Sequence, residues 1–125
     1  MAGIPIVNLS GVLLVTIQEE LLDQSVAEFE SELTEKVVET RARGVLIDVS
    51  VLDIIDSFLA RTLHDIAAIT SLMAARTVVV GMRPAVAITL VELGLTLPGL
   101  STALSVEEGL SLLTPQPGSS RTALR

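Results

Sequence analysis

Gly-Val-Leu-Ile-Asp-Val-Ser-Val-Leu-Asp-Ile-Ile-Asp-Ser-Phe-Leu-Ala-Arg, residues 44 to 61, decides how the chain is read. Its apolar, β-branched opening, Val45 to Val49, has the length and composition of a buried strand. The polar residues Asp48, Asp53 and Asp56 follow, and Asp56-Ser57 stands directly before a segment of helical periodicity. Ser57 therefore falls at or beside a helix N-cap. The dipole there favours added negative charge, so a phosphate on the hydroxyl is tolerated. The competing reading is that Asp56 and Ser57 only cap the helix.

Outward from this stretch, strands and helices alternate. Ile4 to Leu9 and Val12 to Ile17 are β-prone runs separated by Ser10-Gly11, which predicts a hairpin, with Pro5 suited to an edge strand. A helix opens at Asp23 or Ser25, where Ser25 to Glu28 has capping-box spacing. Leu22, Val26, Phe29, Leu33 and Val37 fall on one face of it, and Glu28, Glu32, Glu35 and Glu39 on the solvent side. Arg41 and Arg43 complement the dipole at its end, and Gly44 is expected in the left-handed position after the last turn.

Beyond Ser57, the residues Leu59, Leu63, Ile66, Thr70 and Met73 predict a second amphipathic helix reaching Ala74, with Arg61, His64, Asp65 and Ala68 on its other face. Arg61 lies one turn from Ser57, placed either for an ion pair with Asp65 or for contact with a partner. Thr77 to Met82 reads as a strand, and Pro84 as the first residue of a helix over Ala85 to Leu93 that stops at Gly94. The apolar residues of that helix, Val86, Ile88, Leu90, Val91 and Leu93, spread over more than one face, so part should be buried and part should mediate association. Leu97 to Gly99 is a turn, Ser101 to Leu104 a short strand, and Ser105 to Glu108 a second capping box opening a last helix with Leu110 and Leu113. Such alternation predicts an α/β fold: one domain over 1 to 113, a mixed and mostly parallel sheet with an N-terminal hairpin strand, and about four helices. Residues 114 to 125, with Pro115 and Pro117, are expected to be a flexible tail.

Composition removes several classes of function. A net charge of −7 with a single lysine, Lys36, leaves no electrostatic footprint for nucleic acid or anionic membrane. Only Phe29 and Phe58 are aromatic, so the core is aliphatic and no base-stacking surface is expected. The absence of cysteine excludes disulfides, thiolate metal sites and cysteine nucleophiles. The first 18 residues are uncharged, but Pro5, Asn8, Ser10 and Gly11 interrupt them and no basic leader precedes them, so a cytoplasmic protein is expected.

No phosphate-cradling Gly-x-x-x-x-Gly-Lys-Ser/Thr loop or Gly-x-Gly-x-x-Gly fingerprint occurs. The only histidine, His64, lies seven residues after Ser57 on the same helix, about 10 Å along the axis, too far for a triad. Its expected role is that of an ordinary helix-face residue. Asp48, Asp53 and Asp56 form a weak pattern for a hard cation. A phosphoacceptor receiver using Asp48 is a different possibility, but the first strand ends without an acidic pair and Lys36 sits in the first helix. Neither an enzyme, a cofactor nor a metal site is expected.

The motif Val-Leu-Ile-Asp-Val-Ser, a short loop, then Ile-Asp-Ser at a helix start resembles the signature of STAS domains, the anti-sigma-factor antagonist family. Most relatives continue Ser-Gly-Leu, where this chain has Phe58, Leu59 and Ala60. The runs Asp-Ser-Phe-Leu-Ala-Arg and, at 81 to 94, Gly-Met-Arg-Pro-Ala-Val-Ala-Ile-Thr-Leu-Val-Glu-Leu-Gly resemble the single-domain antagonist subunits of bacterial stressosomes. The resemblance implies phosphorylation at Ser57 and a partner-binding surface of Asp53, Asp56, Ser57, Phe58 and Arg61. It also implies three partners: a serine/threonine kinase of the histidine-kinase-like ATPase type, held by the unphosphorylated form; paralogous sensor subunits with their own STAS domains, in homo- and hetero-oligomers; and a phosphatase. The alternative within the family is an anti-sigma-factor antagonist acting outside any large assembly.

Overall fold

A computed structural model describes residues 4–17, 23–53, 55–94 and 100–113. The elements in order are β1 (Ile6–Leu9), β2 (Val12–Thr16), α1 (Asp23–Thr40), β3 (Gly44–Asp48), α2 (Ser57–Leu72), β4 (Arg76–Val80), α3 (Pro84–Glu92), β5 (Leu100–Ala103) and α4 (Val106–Leu113). The five strands lie side by side in chain order, β1 antiparallel to β2 and the others parallel. This is the mixed, mostly parallel sheet with four helices that the alternation predicts. The expected tail at 114 to 125 and the turn at Leu97 to Gly99 lie outside the described residues.

Ser10 and Gly11 both take positive φ, 55° and 93°, the geometry of a two-residue hairpin turn whose twist matches its strands. Register follows at once: Leu9 faces Val12 and Ile6 faces Val15. Side chains alternate across β2 and β3 and feed two cores. Leu13, Val15, Val45 and Ile47 meet α1, α2 and α3 on one face through Phe29, Leu33, Leu63, Ile66, Val86 and Leu90. Val12, Leu46, Val78 and Val80 meet Leu113 of α4 on the other. Phe29, Leu33 and Val37 are buried as expected, and Glu28, Glu32, Glu35 and Glu39 are exposed. Leu22 and the side chains of Ser25 and Val26 lie outside the described residues.

Two helix ends differ from expectation. After α1 the left-handed residue is Arg41, with φ 53°, and not Gly44. The backbone N–H of Ala42 then donates to Val37 at 3.2 Å, closing the helix three residues early. Gly44 instead opens β3, where a Cβ would lie 2.7 Å from both terminal methyls of Leu113. Its requirement is room for α4. Arg43 likewise leaves the helix end, donating to the carbonyls of Ser10 and Leu113, each at 2.8 Å. The helix α2 ends at Leu72, and Ala74, with φ 62°, lies beyond it.

The short helices behave more nearly as read. Pro84 occupies the first turn of α3, and the backbone N–H of Gly94 donates to Val91 at 3.0 Å with φ 69° at the glycine. Only Val86 and Leu90 of α3 are buried, while Ile88 and Val91 are 56% and 78% exposed, so the helix divides into a core face and an open apolar face. Ser105 caps α4 by accepting from the Glu108 N–H at 3.1 Å, and the Glu108 carboxylate returns to the Leu104 N–H. Among the described residues no helix is long and apolar enough to cross a membrane.

Candidate functional site

Adjacent parallel strands finish on the same edge of the sheet, so the segments leaving β3 and β4 meet. Val49 continues the pairing beyond β3, donating to Val80 at 3.0 Å. In the loop that begins there Val51 and Asp53 are exposed while Leu52 is buried, as is Ile55 just before α2. Gly81 admits this loop: it has φ 73°, and a Cβ on it would fall 2.6 Å from Cβ of Ser50.

The three aspartates of the stretch have separate duties. Asp48 is half-buried and its Oδ1 accepts from the Ser50 N–H at 2.9 Å, turning the chain at the end of β3. Asp53 pairs with Nη1 of Arg83 at 2.9 Å, and Nε of the same arginine donates to the Ser50 carbonyl at 3.0 Å. Asp56 caps α2: it is extended at φ −90° and ψ 173°, and its Oδ1 accepts from the Leu59 N–H at 2.8 Å. Among the described residues no three carboxylate, histidine or cysteine groups are placed to hold a cation. The weak metal pattern of the sequence thus resolves into a turn, an ion pair and a cap.

Ser57 is the first residue of α2 and is exposed. The cap belongs to Asp56, so the Ser57 hydroxyl is free of the duty the competing reading gave it, and it bonds to no described protein group. Phe58 beside it is 37% exposed and Val51 across the loop 55%, so two apolar side chains stand among the acidic ones. Arg61 is exposed one turn on and pairs with no described carboxylate. Of the two placements open to Arg61, the ion pair with Asp65 is not formed, and Asp65 lies instead 3.5 Å from Nδ1 of His64, beyond good hydrogen-bonding distance. His64 is otherwise a partly buried helix-face residue, as expected.

Arg83 is the site residue that the sequence reading missed. As the N-cap of α3, three residues past the end of β4, it lies against the Ser50 to Asp53 loop. Open grooves occur elsewhere. One of about 540 Å³ lies between the ends of α1 and α2, lined by Val37, Arg41, Met73 and Ala74, and one of about 330 Å³ lies against β5, lined by Met82, Ala87 and Leu104. Neither includes a residue of the 48 to 61 stretch.

A parallel sheet opened by a hairpin, with an acidic loop and an exposed serine starting the helix after the third strand, defines a domain class, and the STAS domain family model matches residues 4–108. The chain belongs to the STAS family. Among solved structures it is similar to a Moorella thermoacetica RsbS bearing a serine-to-glutamate substitution, with 36% identity, 99% of this chain and 100% of that one covered, and a TM-score of 0.80. It is also similar to a chain of the stressosome, described as a signal integration and transduction hub, with 41% identity over 87% of this chain and 95% of that one and a TM-score of 0.79. The anti-sigma factor antagonist SpoIIAA in its unphosphorylated form shares the fold at 15% identity, with 88% and 95% of the chains covered and a TM-score of 0.70. Comparison with curated protein sequences finds no match.

Proposed function

We propose that this chain is a non-enzymatic, cytoplasmic stress-signalling module whose surface around Ser57 holds a serine/threonine kinase of the histidine-kinase-like ATPase type and releases it on phosphorylation of that serine. The observation that carries the reading is the Ser57 hydroxyl: exposed, unbonded to any described protein group, and standing at the first residue of α2 while Asp56 does the capping. A kinase can reach it without dismantling the helix, and a phosphate there meets the favourable end of the dipole.

The partner surface is Asp53, Asp56, Ser57, Phe58 and Arg61, with Val51 as a further apolar contact. A partner seated on Phe58 and Val51 buries apolar area and must desolvate whatever stands on Ser57. A dianionic phosphate beside Asp53 and Asp56 resists that desolvation unless the partner supplies a matching arginine. Similarity to stressosome chains over nearly the whole length supports co-assembly with paralogous sensor subunits carrying STAS domains, and a phosphatase completes the cycle. The test is incubation with the cognate kinase and ATP followed by mapping of the phosphate by mass spectrometry. Modification at Ser57 supports the reading; modification confined to other residues overturns it.

A further inference from the structure

We propose that Arg61 is the intramolecular ligand of the phosphate on Ser57, so that modification withdraws an available cation from the partner surface as well as adding an anion. The inference deepens the Ser57 reading and rests on it.

Among the described residues, the charged groups of the segments that frame the serine are already engaged. Asp48 accepts from Ser50, Asp53 is held by Arg83, and Asp56 accepts from Leu59. Arg83 itself spans Asp53 and the Ser50 carbonyl. Arg61 is the exception, exposed and without an ion-pair partner among the described residues. Asp65, four residues on, does not take it and lies by His64. Asp65 also acts electrostatically on Glu30 of α1, whose carboxyl is raised first by burial and then by that neighbouring charge.

Four residues in the other direction stands Ser57. On a helix, positions four apart bring Cβ atoms within about 5–6 Å, and an acid placed one turn before a base is the favourable order. A neutral hydroxyl offers a guanidinium one weak acceptor. A phosphate offers three oxygens, two of which match the planar fork of arginine. The unmodified surface therefore presents Arg61 to the carboxylates of a partner, and the modified surface presents it already paired. Release then has two causes, a new anion and a cation no longer available.

The test uses the full chain with phosphoserine placed at position 57 during translation, in the wild type and in Arg61→Gln and Arg61→Lys, followed by ³¹P NMR titration. In the wild type the second proton-dissociation constant of the phosphate should be about two- to fivefold larger than in Arg61→Gln, with lysine between them. The difference should collapse in about 1 M salt. Identical titration of wild type and Arg61→Gln overturns the contact. Because the phosphate is installed and not transferred by a kinase, this result is independent of where the kinase acts, and phosphate mapped to another residue overturns the Ser57 reading separately.

Discussion

Arg83 stands at the start of α3 with Nη1 2.9 Å from Asp53 and Nε 3.0 Å from the carbonyl of Ser50, tying the loop before α2 to the helix after β4. Both side chains are more than half exposed, so the pair adds little to global stability. Its effect is local, holding the loop that presents Val51 and Asp53. Arg83→Ala should cost no more than about 1 kcal/mol in urea denaturation. Hydrogen exchange at Val51 to Asp53 should rise clearly, while β3 and β4 keep their protection.

The division of labour between Asp56 and Ser57 is separable by mutation. Asp56→Ala removes the acceptor of the Leu59 N–H and should cost about 0.5–2 kcal/mol. Ser57→Ala removes a hydroxyl that bonds nothing described, and should stay within about 0.5 kcal/mol of wild type. Chemical denaturation of the two variants side by side decides which residue is the cap.

Glu30 gives a pH-dependent prediction. Its carboxyl is raised above the ordinary value of 4.5 by burial and, secondarily, by Asp65. A raised native-state value means the folded chain holds the proton more tightly, so this group favours folding below the ordinary carboxyl value and loses that contribution as pH rises through the shifted one. At neutral pH the ionised Glu30 opposes folding. Glu30→Gln should then raise Tm by about 1–2 °C at pH 7, and the advantage should vanish as the pH falls below about 4. Melting curves across that range provide the check.

The two faces of α3 should respond differently. Leu90 is 5% exposed within the larger core, and Leu90→Ala should cost about 2–5 kcal/mol. Ile88 and Val91 project outward, and Ile88→Glu with Val91→Glu should leave Tm nearly unchanged while reducing the mass of assemblies seen by light scattering. Unchanged mass in that double variant removes α3 from the association surface.

Patterns that depend on local periodicity could be read from the chain, and those set by contacts between distant segments could not. The hairpin at Ser10-Gly11, the buried stripe of Phe29, Leu33 and Val37, and the Ser105–Glu108 box are near-neighbour features. Gly44 was misread because its neighbour Leu113 lies 69 positions away, and spacing carries no trace of that approach. Arg83 was missed for the same reason, since its partners Ser50 and Asp53 are brought near only by strand order. Spacing left Arg61 open between Asp65 and a partner, because helical spacing allows such contacts without requiring them. The helix start at Asp56-Ser57 was legible because cap chemistry is local, although the cap proper proved to be Asp56.

The most direct test of the central claim is the affinity of the cognate kinase for the unmodified protein and for protein phosphorylated at Ser57, measured by calorimetry beside the Tm of each. The account predicts that binding falls by tenfold or more, about 1.4 kcal/mol, while Tm stays within a few degrees. Ser57→Ala should bind as the unmodified protein does even after incubation with kinase and ATP. Equal affinity for the phosphorylated and unphosphorylated forms, or loss of binding that coincides with unfolding of the domain, would contradict it.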